Sequence, residues 1–161
     1  MIKGLTASTF DLLHSGHVKM LEQAKQKCDY LIVGLHVDPS IERKEKNKPV
    51  QNVVERYTQL KALKYVDEII PYTTEQELLD ILQLNEIQIR IIGEEYKDKD
   101  FTGKAYCHSK NIEMYYNSRE HRFSSSELRT RTSVDATKYS DWVVEQNVYT
   151  EFPISWHNIT G

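Results

Sequence analysis

Apolar residues recur along this chain in two rhythms that alternate. The stretch IKGLTA, residues 2–7, predicts a short first strand. From Gly16 onward, Val18, Met20, Leu21 and Ala24 fall at helical spacing, which predicts a helix to about Lys27. YLIVGLHV, residues 30–37, is almost unbroken apolar and β-branched sequence. Such a run suits a strand covered on both faces of a parallel sheet. Asp38-Pro39 breaks it, and a charged loop, ERKEKNKP, follows. Asn52 with Glu55, and Thr74 with Glu77, have the spacing of capping boxes. They predict helices from Val53 to about Tyr65 and through LLDILQL. EIIPY, IRIIG and IEMYY read as third, fourth and fifth strands, and GKAYCHSKN as a short helix. A further box, Ser124 with Glu127, predicts helix over 127–131.

Strands alternating with helices predict an α/β fold: a Rossmann-like, five-stranded parallel sheet with helices on both faces. Ligands of such sheets bind at the carboxyl ends of the strands, where strand order reverses. Those ends are 7–11, 37–48, Tyr72, 93–96 and 117–126, and the chemically unusual residues cluster there. The expected division is an α/β domain over 1–131 and a C-terminal extension over 132–161. The extension carries Trp142, Val143, Val144, Tyr149, Phe152 and Trp156, too apolar for a solvated tail. It is expected to pack on the domain or on a dimer partner, and a homodimer is the expected assembly.

Composition narrows the function classes. A length of 161 residues fits one main domain, and a net charge of −3 does not suit non-specific nucleic-acid binding. Cys28 and Cys107 form no metal or redox motif and argue for a reducing compartment. The N-terminus has no apolar signal core, and no apolar run is long enough to span a bilayer. A cytoplasmic protein without a nucleic-acid or membrane partner is the expectation.

The stretch STFDLLHSGHVKML, residues 8–21, poses the chemical question. Two histidines, His14 and His17, flank a glycine where a strand turns into a helix. Zinc would want further ligands at recognisable spacing, and none is present. A surface turn with incidental histidines is the bland alternative. A phosphate site is the third: a helix N-terminus offers unpaired N–H groups, Gly16 permits close approach, and imidazoles donate to developing charge.

TFDLLHSGH resembles the HxGH signature of the nucleotidyltransferase superfamily. Together with DYLIVGLHVD, ERYTQLKALKYVDEIIP, IIGEEY and FSSSELR, it is similar to the cytidylyltransferases, most of all the glycerol-3-phosphate cytidylyltransferase branch. The resemblance implies catalytic roles for His14 and His17, and phosphate-binding lysines in the charged loop. Lys44 and Lys46 are the candidates there, with Lys48 a residue or two away. It implies nucleotide contacts from Thr9, Phe10, Gly16, Glu94, Glu95, Arg119, Ser124, Ser125 and Ser126, Ser125 also counting as catalytic. Acceptor contacts are implied for Asp11, Arg56 and Lys64. Leu78 stands about where that branch carries a substrate lysine.

The implied reaction moves CMP from CTP to a small phosphorylated acceptor, glycerol-3-phosphate or a similar polyol phosphate. The products are a CDP-linked compound and pyrophosphate. Mg²⁺ would be held mainly by the nucleotide phosphates, with no metal ligands from the chain. The alternatives are an adenylyltransferase of the same superfamily, acting on a phosphosugar, flavin phosphate or phosphopantetheine, and a non-catalytic nucleotide-binding regulator.

Overall fold

The computed structural model describes residues 1–118 and, beyond them, Leu128, Thr130 and Thr132. The chain divides into two units, Met1–Phe123 and Ser124–Gly161. In the second unit Leu128, Thr130 and Thr132 are helical, and Thr132 Oγ1 donates to the Leu128 carbonyl at 3.2 Å.

The first unit alternates strands and helices as the apolar rhythm requires. The order is β1 (Lys3–Ser8), α1 (Ser15–Gln26), β2 (Tyr30–His36), α2 (Val53–Lys61), β3 (Glu68–Tyr72), α3 (Glu75–Leu84), β4 (Ile89–Gly93), α4 (Lys104–Ser109) and β5 (Glu113–Asn117). The strands form one sheet in the order β3-β2-β1-β4-β5. Every pairing is parallel, with Leu5 opposite both Ile32 and Arg90. Chain progression reverses at β1, which has β2 on one side and β4 on the other. The crevice at the carboxyl ends of β1 and β4 is therefore the switch point at which ligands of such sheets bind.

Alternate strand residues feed two apolar layers, because successive side chains point to opposite faces. One layer packs Leu31, Val33, Leu35, Ile89 and Ile91 against Leu21 and Ala24 of α1 and Leu60 of α2. The other packs Leu5 and Ile32 against Leu78, Ile81 and Leu82 of α3 and Cys107 of α4. Pro71 lies within β3 without penalty because β3 is an edge strand with one unpaired side. Gly103, at φ 88°, starts α4, and a Cβ there would meet Leu82 at 2.6 Å. Glycine is the residue that fits that approach.

Two features depart from the sequence reading. Helix α2 stops at Lys61 instead of running to Tyr65. Tight turns at Leu63 and Val66 then set Leu63, Tyr65 and Val66 against the first core layer. Burying those three side chains outweighs continuing the helical hydrogen bonds. Arg90, in the apolar run IRIIG, is 3% exposed. Its guanidinium lies 5.6 Å from the centre of the Phe101 ring and donates to the Thr102 carbonyl at 3.1 Å. No helix among the described residues is long and apolar enough to cross a membrane.

Candidate active site

The turn between β1 and α1 is the most strained part of the described backbone. Phe10 and Leu12 both have positive φ, 52° and 51°, a region non-glycine residues seldom occupy. Such strain persists only where the surroundings over-determine it, and it gathers at functional sites. Here the surroundings are a buried Phe10 ring, 5.5 Å from the His17 ring, and hydrogen bonds from both sides of the turn. The Phe10 ring belongs to the core.

His14 is the N-cap of α1, and the two histidines form a reciprocal capping box. His14 Nδ1 accepts from the Gly16 amide at 3.0 Å, and His17 Nδ1 accepts from the His14 amide at 3.2 Å. The ring centres are 4.0 Å apart, tilted by 31°. A neutral imidazole has one acceptor and one donor nitrogen. With each Nδ1 accepting from main chain, each ring carries its proton on Nε2. The capping box therefore selects the same tautomer in both rings, with Nε2 as the donor. The first turn of α1 holds no acidic residue, so its dipole is uncompensated by carboxylates of its own. The arrangement ties both histidines into a polar network with the main chain. Among the described residues no group of three or more His, Cys, Asp or Glu is placed to hold a metal ion.

Lys44, Lys46 and Lys48 lie on the connection from β2 to α2, and residues 41–48 are exposed throughout. The connection is pinned where it leaves and rejoins the domain. Arg56, on the first turn of α2, is 1% exposed. Its Nη1 donates to the Thr9 and His36 carbonyls at 2.9 and 2.7 Å, and its Nη2 to the Val37 carbonyl at 2.6 Å. Its Nε donates to the Gln51 carbonyl at 3.1 Å. Burial pulls the Arg56 pKa down, and the Asp11 and Asp38 carboxylates push it back up. Asp11 is 6% exposed, and its two oxygens accept from the Val50 and Gln51 amides, each at 2.9 Å. Gln51 Oε1 accepts from the Leu12 amide at 2.9 Å.

Two of the three residues expected on the acceptor side, Asp11 and Arg56, are engaged with main chain. Arg56 is a buried clasp joining three segments of main chain, with four of its five N–H donors spent on carbonyls. Asp11 fastens the far end of the lysine loop to the HxGH turn. Lys64 follows the end of α2, which runs back along the sheet, so it lies next to the amino end of β3, opposite the ligand-binding edge. Its Nζ sits 5.3 Å from the centre of the Tyr65 ring. Leu78 is buried in the second core layer, 4% exposed, and offers nothing to a ligand.

Glu94 and Glu95 are exposed on a single turn of 3-10 helix directly after β4, at the carboxyl edge. Thr9 and Gly16 sit in the strained turn and in the first turn of α1, so both share the edge with the two histidines. Arg119, Ser124, Ser125 and Ser126 lie outside the described residues. Sequence reasoning missed His36 and Glu75. His36 ends β2, stacks on Tyr72 at 4.5 Å between ring centres, and donates from Nε2 to the Thr73 carbonyl at 3.2 Å. Burial lowers its pKa. Set near the end of an apolar run, it carried no signal of its own.

A family model described as cytidylyltransferase-like matches residues 5–131. The glycerol-3-phosphate cytidylyltransferase of Bacillus subtilis (strain 168) is 36% identical over 130 residues, covering 80% of this chain and 95% of that protein. The ethanolamine-phosphate cytidylyltransferase of Dictyostelium discoideum is 46% identical over a shorter stretch of 76 residues, 45% of this chain and 21% of that protein. Among solved structures, the lipopolysaccharide core biosynthesis protein from Thermoplasma volcanium GSS1 shares the fold. Its TM-score is 0.58 at 22% identity, over 77% of this chain and 99% of that one.

Proposed function

This chain belongs to the cytidylyltransferase-like family, and from that membership we propose that it moves CMP from CTP to a small polyol phosphate, glycerol-3-phosphate or a close relative. The observation that carries the reading is the paired-imidazole turn. Both histidines are locked as Nε2 donors at the N-terminus of α1, at the sheet edge where α/β ligands bind.

The chemistry asks little of the protein beyond placement and charge. An oxygen of the acceptor phosphate attacks the α-phosphorus of CTP, and the bond from that phosphorus to the bridging α–β oxygen breaks. Pyrophosphate leaves with the electron pair. A phosphate monoester is already a competent nucleophile at neutral pH, so the step requires no base and no covalent enzyme intermediate. Negative charge grows on the α-phosphoryl oxygens and on the departing pyrophosphate. His14 and His17 donate to that charge, Lys44, Lys46 and Lys48 neutralise the triphosphate, and Ser124, Ser125, Ser126 and Arg119 are the further nucleotide contacts. Mg²⁺ travels with CTP and offsets charge on its phosphates. The protein acts in the cytoplasm as a homodimer.

The similarity to glycerol-3-phosphate cytidylyltransferase over most of both chains supports the nucleotide and the acceptor class together. The acceptor phosphate finds its cation somewhere other than Arg56, Lys64 or position 78, given where those side chains lie. The test is pyrophosphate release with each of CTP, ATP, GTP and UTP against glycerol, erythritol, ethanolamine, choline, sugar and flavin phosphates. CTP with a polyol phosphate should turn over. Turnover with ATP and none with CTP would overturn the nucleotide, and turnover with CTP on other phosphates alone would overturn the acceptor.

A further inference from the structure

We propose that Glu75 is a positioning residue that holds the lysine loop ready for the triphosphate, an inference resting on the reading of that loop as phosphate-binding. Residues 41–48 are exposed throughout, so no apolar burial fixes the loop. Its two stems are tied by Arg56 and Asp11, but those ties end at Val37 and begin again at Val50. Between them, the contacts that carry the loop to another element converge on one residue of α3. The Glu75 amide, at the start of that helix, donates to Glu42 Oε2 at 2.8 Å. The Glu75 carboxylate pairs through Oε1 with Arg43 Nη2 at 2.9 Å. Its other oxygen accepts from Thr102 Oγ1 at 2.7 Å, on the segment that leads into α4.

Glu42 and Arg43 therefore grip the main chain and the side chain of the same residue, immediately before Lys44. Glu42 meets the positive end of the α3 dipole, and Arg43 meets a carboxylate already oriented by Thr102. A lone exposed ion pair contributes little, but a pair fixed from three sides holds a geometry. The gain is preorganisation. A loop that spends part of its time away from the site lowers apparent affinity by the fraction of time it is absent. At saturating nucleotide the phosphates themselves hold the lysines, so the rate at saturation survives.

The experiment compares wild type with Glu75→Ala, Arg43→Glu and the charge-swapped pair Arg43→Glu/Glu75→Arg, all in the full-length chain. Glu75→Ala and Arg43→Glu should raise KM for CTP about three- to tenfold, with kcat within about twofold, the pattern of a ligand that must first order its own site. The swapped pair should bring KM back towards wild type. In ligand-free protein, trypsin should cut after Arg43, Lys44, Lys46 or Lys48 faster in Glu75→Ala than in wild type. A variant that is merely less stable would lower the melting temperature and leave KM alone. Unchanged KM in Glu75→Ala, or a swapped pair no better than its single parents, overturns the proposal. Unchanged cleavage overturns it as well. A wild-type chain that releases no pyrophosphate with CTP and any acceptor sinks the proposed function instead, and the cleavage rates alone then decide the clasp.

Discussion

At the scale of single residues, His14 does two jobs, and substitutions can separate them. Alanine at position 14 removes the N-cap of α1, which costs about 1 kcal/mol and a few degrees of melting temperature. His14→Asn keeps a good capping side chain and removes the imidazole. It should melt close to wild type and lose about a hundredfold or more in turnover, the scale of one lost electrostatic donor. His17→Gln retains the N3 acceptor of the capping box and should behave alike. Wild-type turnover in either variant, measured beside its melting curve, would confine the histidines to capping. Arg56 makes the opposite case. Removing a guanidinium that satisfies four carbonyls strands those groups, so Arg56→Ala should lose about 3 kcal/mol in denaturant unfolding. Arg56→Lys should recover little, because an ammonium cannot span the same fork. An alanine variant as stable as wild type would show that the clasp carries no load.

At the scale of elements, the joint between β2 and β3 gives the domain a pH dependence. Burial holds His36 below the ordinary histidine value, against the raising influence of Glu75 and Glu42 and with the lowering influence of Arg43. An unfolded chain takes up a proton there as pH falls past about 6.5, while the folded chain resists. The neutral ring's contribution is thus complete above that pH and is lost as pH falls through the folded pKa. The stability difference between wild type and His36→Phe, which keeps a ring to stack on Tyr72, should shrink from pH 7.5 to 5.5. A difference that stays constant would remove His36 from the acid response. Helix ends show a similar division between local and distant causes. The capping boxes at Asn52 and Thr74 form as their spacing predicts, because a cap is local chemistry. The early end of α2 was invisible, because the pull on Leu63 and Val66 comes from a core assembled by distant strands.

At the scale of the whole molecule, the chain has two units, and the second carries the apolar residues of the C-terminal extension. Deleting 132–161 should lower the melting temperature or change the mass measured by light scattering, since Trp142, Tyr149, Phe152 and Trp156 represent apolar area that must be covered somewhere. Unchanged melting together with unchanged mass would make the extension dispensable. Among the described residues, Ile41, Val50 and Val54 are the apolar side chains exposed around the lysine loop and the start of α2. Arg43 and Glu42 reach α3 from between them, so the loop is held by polar contacts and not by its apolar residues.

By itself the sequence determined the alternation of strands and helices, the parallel sheet, the two capping boxes and the HxGH turn at a carboxyl edge. Each of these follows from residues within about a dozen positions of one another, where period, cap and turn chemistry act directly. Tertiary structure alone decided the partners of Asp11 and Arg56. As letters in a sequence, a carboxylate beside HxGH and an arginine on a helix look like ligand-binding groups. In the fold, Asp11 reaches the Val50 and Gln51 amides and Arg56 reaches the Thr9 carbonyl, partners about forty residues away in sequence. Which carbonyl or amide a buried charge meets depends on how the sheet brings loops together, and burial requires that it meet one.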